Sequence, residues 1–195
     1  VGAAFLQRYP KARLDIRLVD NMVHPIKDDF DVAFGIGPLQ DSTLIAKKVF
    51  SLDCFLCASP EFIEQLDKPI THPSQLDKLP FIDSGFYSNP RKLVLTKGKK
   101  SYEVSPLMRA QTNSFQISKQ YMLKGIGIGS MPNKITRYNE LEDGVLTPIL
   151  TDWALESVDV YMIYPFQLSF SNLIKAFYET AFEVITENTK QRDHQ

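Results

Sequence analysis

The spacing of apolar residues changes along the first part of the chain, and each change predicts a different element. Apolar residues at helical spacing over 5–9 stop at Pro10, which indicates the second half of an amphipathic helix. Over 14–19 apolar residues alternate with polar ones, a period of two that predicts a strand with one buried face. The stretch 32–36 is apolar at both parities, which is typical of a central strand in a mostly parallel sheet. Strands that alternate with helices indicate an α/β fold.

Capping signals mark the elements that follow. Ser59 followed by Pro60 predicts an N-cap and the first turn of a helix. The sequence 71–74 repeats that signal for a shorter helix. A brief strand is predicted over 80–85, and the region rich in Gly, Ser and Lys over 86–100 is where we expect the chain to cross into a second lobe.

The same signals predict the elements of the second lobe. Asn113, with Gln116 three residues later, predicts a capped helix start, and Gly125 predicts the end of that helix. Behind it we predict strands over 126–131, 145–150 and 158–164 and a helix over 133–140. A last apolar stripe behind Ser171 predicts a helix that returns to pack on the first lobe.

Two crossings between two α/β lobes are the organisation that this order of elements predicts. Lobe one is expected over 1–83 and 161–195, and lobe two over 84–160. The chain opens on Val1 within a predicted helix, so we expect the partner strand of that helix, the first strand of lobe one, to precede Val1.

Composition narrows the possible partners. The 195 residues are 44% hydrophobic and 23% charged, enough for a substantial core, and the net charge is −1 with a pI near 6.3. Such a balance gives no electrostatic footprint for nucleic acid or anionic lipid, so we do not expect this chain alone to bind DNA or a membrane. No apolar run approaches the roughly 20 residues that cross a bilayer, and no signal peptide is visible, so a cytoplasmic location is expected.

The sequence offers little for catalysis or for a metal. Cys54 and Cys57 lie on a strand-like alternation, where residues three apart point to opposite faces, so we expect two separate reduced thiols. His24, His72 and His194 are scattered along the chain. Without a nucleophile arrangement, metal-ligand spacing or phosphate loop, we expect no catalytic residue, no metal and no cofactor, and predict that the protein is not an enzyme.

An ordered set of short motifs resembles the effector-binding domain of LysR-type transcriptional regulators. The set spans nearly the whole chain and comprises Phe5-Leu-Gln-Arg-Tyr-Pro10, Asp31-Val-Ala-Phe-Gly-Ile-Gly-Pro-Leu39 with Asp41-Ser-Thr-Leu44, Ala58-Ser-Pro-Glu-Phe62, Pro69-Ile-Thr-His-Pro-Ser-Gln-Leu76, Gly125-Ile-Gly-Ile-Gly129, Met131-Pro132, Asp143-Gly-Val-Leu146 and Val160-Tyr-Met-Ile-Tyr-Pro165. Each motif is moderately specific, and their order carries the resemblance.

This resemblance implies a fold, a ligand and partners. The implied fold is type 2 periplasmic-binding-protein-like, α/β with two Rossmann-like lobes joined by two crossover strands. It implies a small effector, expected to be an organic anion, in a cleft between the lobes, and assembly as a homodimer or homotetramer. DNA would be contacted only by a helix-turn-helix domain before Val1. The resemblance also implies an Arg in many relatives where this chain has Gly35, and if that arginine pairs with a ligand carboxylate in them, anion recognition here must rest on other groups.

Candidate effector contacts come from strand ends and from one helix start. At Asn113 the helix of lobe two begins, where backbone amides and the positive end of the helix dipole favour an anion, although a capping role alone also explains the asparagine. Loops at strand ends of lobe one should face the cleft, although turn chemistry alone also explains their glycines. The predicted contacts are Asn21, Gly35, Gly37, Pro38, Ser84, Asn113, Ser114, Phe115, Ser130, Met131 and Phe166.

Two other functions remain open from the sequence. A solute-binding protein of a transporter has the same fold and would need an export signal upstream of Val1. An enzyme could use the same interlobe cleft, but no catalytic arrangement of residues supports it.

Overall fold

The structure, a computed structural model, describes residues 1–18, 29–36, 44–85, 92–132 and 144–190, with side chains up to residue 187. In chain order its elements are α1 (Gly2–Arg8), β1 (Ala33–Ile36), β2 (Leu44–Leu52), β3 (Cys54–Ala58), α2 (Pro60–Glu64), a 3₁₀ helix (Pro73–Lys78), β4 (Pro80–Asp83), β5 (Leu93–Lys97), β6 (Lys100–Val104), β7 (Leu107–Gln111), α3 (Phe115–Leu123), β8 (Ile128–Pro132), β9 (Thr147–Ile149), β10 (Ala154–Leu155), β11 (Val158–Pro165), a 3₁₀ helix (Phe166–Leu168) and α4 (Asn172–Lys190).

The chain divides into two compact units. Unit 1 comprises Val1–Ser51 and Asp159–Gln195, and unit 2 comprises Leu52–Val158. The chain therefore crosses between the units twice, as expected, but the first crossing follows residue 51 rather than residue 83. The reason is strand pairing, because β3 and β4 join a sheet with strands that follow them in the chain.

Unit 1 is held together by apolar packing on a small sheet. Its strand order is β1-β11-β2, and β1 runs antiparallel to β11. Helix α4 packs on this sheet through a cluster of buried residues that includes Met162, Ile174 and Ala181. Phe5 of α1 is 1% exposed, and its ring meets the Phe177 ring of α4 edge-on at 5.0 Å. The predicted return of the last helix to the first lobe is therefore confirmed.

Unit 2 contains two sheets. The larger has five strands in the order β7-β4-β8-β3-β9, and β4 is parallel to both β7 and β8. The smaller has the order β10-β5-β6. One face of the larger sheet packs under α3 through an apolar cluster made of Cys57, Ile82, Met122, Met131 and Leu146.

Two helix signals in unit 2 are confirmed. The Ser59 hydroxyl accepts a hydrogen bond from the Phe62 N–H at 3.3 Å and caps α2. Gly125 has φ +67° after α3 and donates to the Met122 carbonyl, while the next N–H donates to the Tyr121 carbonyl. These two bonds form a Schellman motif, which requires a residue in the left-handed region at the glycine position.

Two strand predictions in unit 1 are wrong. Residues 12–18 form no strand, and Ile16 and Leu18 are 70% and 97% exposed. Alternation describes side chains, whereas a strand also needs a neighbouring backbone, and none of the described residues supplies one there. The second error concerns β1, which pairs antiparallel with β11 and, among the described residues, lies at a sheet edge rather than in the centre of a parallel sheet.

Two further predictions concern helices. The helix expected over 133–140 lies outside the described residues. Within the described part of the chain, no helix combines the length and the apolar character needed to span a membrane.

Candidate functional site

Three parallel strands of unit 2 end at the same edge of their sheet. Asp83 of β4 pairs in register with Gln111 of β7, and Ile82 pairs with Gly129 of β8. The residues that follow each strand, or close it, therefore gather at one carboxyl edge. In α/β sheets this edge is where ligands commonly bind.

Two buried hydroxyl groups lie at this edge. Ser84 and Ser130 are both 0% exposed, and their Oγ atoms are 3.3 Å apart. Each hydroxyl offers one donor and two acceptor positions, so one shared hydrogen bond leaves further capacity on both. The predicted residues Ser84 and Ser130 are thus brought into direct contact.

The N-terminus of α3 lies at the same edge. Ser114 is its N-cap residue and makes no capping hydrogen bond through its side chain. The expected cap at Asn113 is therefore wrong by one position, because the Thr112 hydroxyl instead accepts from the Ser114 N–H at 3.1 Å and sets the turn. The positive end of the α3 dipole at this edge favours an anion.

Asp83 is a buried acid that the sequence analysis did not select. It is 1% exposed, its Oδ1 accepts from the Gly85 N–H at 3.0 Å, and its carbonyl accepts from the Thr112 N–H at 2.9 Å. Its Oδ2 is buried and has no hydrogen-bond partner among the described residues. Burial raises the pKa of the Asp83 carboxyl, against the opposing effect of hydrogen bonds from Gly85 and the Gln111 side chain.

Gly85 holds the end of β4 against the start of α3. It has φ +74°, and a Cβ at this position would lie 2.7 Å from the Thr112 carbonyl oxygen and 3.3 Å from the Asn113 Cα. Only a residue without a Cβ tolerates both the backbone angle and this approach. The turn after Asp83 and the residues before α3 are therefore neighbours.

The other predicted site residues lie elsewhere. Met131 is 1% exposed and belongs to the apolar cluster under α3. Gly35 and Phe166 belong to unit 1, where Gly35 pairs with Tyr161 and Phe166 is 58% exposed. Asn21, Gly37 and Pro38 lie outside the described residues. The structure thus places Ser84 and Ser130 in contact and sets Asn113 against the turn after β4, with Ser114 and Phe115 following at the start of α3.

The two cysteines are free, as predicted, and both are buried. Cys57 is 0% exposed, its Sγ lies 3.7 Å from the Met122 Sδ, and burial raises the pKa of its thiol to about 12. A thiol in this environment carries almost no thiolate and is a packing group. Within the described ranges, no group of three or more His, Cys, Asp or Glu residues is placed to hold a metal.

Comparison with known proteins gives a consistent result. Residues 2–185 match the family described as the LysR substrate binding domain. An HTH-type transcriptional repressor of Pseudomonas aeruginosa is 27% identical over 188 residues, which cover 94% of this chain and 58% of the repressor. The HTH-type transcriptional regulator PtxR of the same species is 25% identical and has the same coverage. The chain thus spans little more than half the length of these relatives.

Solved structures agree with these matches. The regulatory domain of AphB from Vibrio vulnificus superposes with a TM-score of 0.69 at 27% identity, covering 93% of this chain and 89% of that domain. The regulatory domain of CrgA from Neisseria meningitidis gives a TM-score of 0.72 at 23% identity, covering 93% and 88%. The second likeness concerns the fold alone.

Proposed function

The chain belongs to the LysR substrate-binding domain family, and from this premise we propose that it binds a small organic anion at the carboxyl edge of β4, β7 and β8. Its fold is the type 2 periplasmic-binding-protein-like fold of LysR-type regulatory domains. It is the effector-binding domain of a LysR-type regulator, and its relatives are bacterial transcriptional regulators.

One observation carries the proposed ligand site. The α3 start and the hydroxyl pair of Ser84 and Ser130 lie where β4 and β7 end, with Ser130 on the neighbouring parallel strand β8. Backbone amides at a helix start and hydroxyl donors suit a carboxylate, and they do so without an arginine. This matters because position 35, where the resemblance to the family implies an arginine, is a glycine in this chain.

The signal would pass as a shift between conformations. A ligand changes an equilibrium only by binding one arrangement of the protein better than another. We therefore propose that the anion favours one arrangement of the regulator, without any chemical step on the ligand. Gly35 and Phe166 remain predicted contacts in unit 1.

The whole regulator would need partners that this chain alone does not provide. The net charge of −1 gives no footprint for DNA, so DNA contact is proposed for a helix-turn-helix segment outside this chain. Assembly as a homodimer or homotetramer is proposed from the family, and sedimentation velocity on the chain measures it directly. As a regulator of transcription in bacteria, the protein is proposed to act in the cytoplasm.

A solute-binding role in a transporter is the weaker alternative. It is compatible with the same fold, but the relatives are transcriptional regulators. That match favours gene regulation over transport.

A thermal-shift screen with small carboxylates tests the proposed site. A ligand at 100 times its Kd stabilises a folded protein by about 2.7 kcal/mol, which raises Tm measurably. We expect at least one carboxylate to stabilise the chain, and we expect Ser130→Ala to weaken that binding by about tenfold through loss of one hydrogen bond. The control is Ser101→Ala, an exposed serine on β6. Failure of every carboxylate, or equal binding by both variants, would contradict the proposal.

A further inference from the structure

The two oxygens of the buried Asp83 carboxyl have different surroundings. Its Oδ1 accepts from the Gly85 N–H at 3.0 Å, and the Gln111 side chain also hydrogen-bonds to the carboxyl. Its Oδ2 is buried without a hydrogen-bond partner among the described residues, and the residue is only 1% exposed.

A buried carboxylate oxygen without a donor is costly. Removal of a charged group from water is unfavourable unless hydrogen bonds or an opposite charge replace the lost hydration. Within the described residues the ion pairs involve exposed side chains, and none of them includes Asp83. A positively charged N–H group brought by a ligand would supply both the missing hydrogen bond and the missing charge.

We propose that Asp83 determines effector specificity by binding a positively charged amino group, and that the effector is therefore an aminated organic acid rather than a simple carboxylate. This inference rests on the proposed function, since it places the acidic group of the same ligand at the α3 start. It adds a second requirement to the ligand, which is an ammonium group close to its carboxylate.

The two halves of such a ligand would meet neighbouring parts of the protein. The turn that follows Asp83 lies against Thr112 and Asn113, because a Cβ at Gly85 would be 2.7 Å from the Thr112 carbonyl oxygen. The Asp83 carbonyl also accepts directly from the Thr112 N–H. A zwitterionic ligand would therefore place its ammonium group at the Asp83 carboxyl and its carboxylate at the positive end of α3, which are adjacent.

Burial makes this arrangement selective. A ligand group that reaches Asp83 leaves water. A ligand with a methylene in place of the amino group would leave the Asp83 carboxyl unpaired, and a ligand with a second acid there would be repelled by it. Sites with buried polar groups reject analogues that lack the matching group far more strongly than apolar pockets reject a missing methylene.

Matched pairs of ligands test the proposal with the chain as it exists. The probes are three pairs of an amino acid and its analogue without the amino group: L-aspartate with succinate, L-phenylalanine with 3-phenylpropionate, and the carboxylates 4-(aminomethyl)benzoate with 4-methylbenzoate. Binding is measured by thermal shift and calorimetry. We expect an aminated member to bind at least about tenfold more tightly than its partner, and Asp83→Asn to abolish that preference. Asp152→Asn is the control, since it removes an exposed carboxylate that pairs with Lys97 at 2.7 Å.

Each outcome decides the question. Equal or tighter binding of the plain acids would overturn the role of Asp83 and leave the anion site standing. An amino preference that persists in folded Asp83→Asn would show that another group recognises the amine. Binding by no probe of either kind would overturn this inference together with the proposed function. If Asp83→Asn fails to fold, as judged by circular dichroism, the wild-type pairs still decide the amino preference.

Discussion

The end of β11 in unit 1 and the end of β4 in unit 2 bury very different side chains. On β11, Met162, Ile163 and Tyr164 are all at most 3% exposed, and Met162 and Tyr164 belong to the apolar cluster on which α4 packs. At the end of β4 the equally buried residues are Asp83 and Ser84. Apolar burial stabilises a fold, whereas polar burial costs free energy unless every group is paired. The contrast is what the proposed ligand site at the β4 edge requires, because buried polar groups there would be paired by a ligand.

The largest expected effect belongs to the apolar core of unit 1. Phe5→Ala should lower the free energy of unfolding by about 3–5 kcal/mol, because Phe5 is 1% exposed and packs on Phe177 at a ring distance of 5.0 Å. Phe170→Ala is the control, since Phe170 is 85% exposed and its loss should change stability by less than about 0.5 kcal/mol. Urea denaturation measures both, and equal effects would contradict the described core.

Alanine substitutions at two glycines test the turn at the β4 edge. Gly85→Ala should cost at least about 2 kcal/mol, because the left-handed backbone and the contact with the Thr112 carbonyl oxygen both oppose a Cβ. Gly98→Ala provides the comparison, because Gly98 has φ +59° but no atom within 4 Å of an added Cβ, and should cost about 1 kcal/mol. The difference between the two free energies of unfolding reports the close contact. If the two substitutions cost the same, the turn does not press against the start of α3.

The hydroxyl pair should show coupling. Ser84→Ala and Ser130→Ala should each cost about 1–2 kcal/mol, since each removes one partner of a buried hydrogen bond and leaves the other unpaired. In the double variant the cost should be less than the sum, because no unpaired hydroxyl remains. A double-mutant cycle by urea denaturation measures the coupling, and strictly additive costs would mean that the two hydroxyl groups do not interact.

The smallest expected effect is a pH dependence at Asp83. Because its pKa is raised from the ordinary value of 3.8, the folded protein holds this proton more tightly than the unfolded chain does. The contribution to stability is therefore fully present below pH 3.8 and is lost as the pH rises through the raised pKa. Relative to wild type, Asp83→Asn should therefore gain stability as the pH rises across that window. Denaturation curves at a series of pH values test this, and a difference that stays constant with pH would contradict it.

Local signals predicted local structure well in this chain. Ser59 and Gly125 act within one helical turn, through a side-chain oxygen and a backbone angle, so the residue type alone indicates the cap and the stop. The apolar stripe of the last helix is equally local, and its return to unit 1 followed from its need for a partner. These features depend on residues that are close in sequence.

Features that depend on distant pairing were predicted poorly. The alternation over 14–19 showed which side chains could face a core but not whether a neighbouring strand exists. The first boundary was expected at residue 83 because a short apolar run resembles the end of a sheet, whereas β4 lies inside the five-stranded sheet between β7 and β8. Asp83 was missed because an acid after an apolar run resembles the start of an exposed loop. Its burial depends on the contacts of the following turn with residues 112 and 113.

Backbone amide chemical shifts during titration with a stabilising carboxylate test the central claim most directly, because they compare the two regions in one experiment. We expect the largest changes in chemical shift at the amides of Ser84, Gly85, Ser114 and Ser130. The amides of Phe5 and Phe177 in the unit 1 core should stay nearly unchanged. Shifts concentrated in the α1 and α4 core, with the β4 edge unaffected, would contradict it.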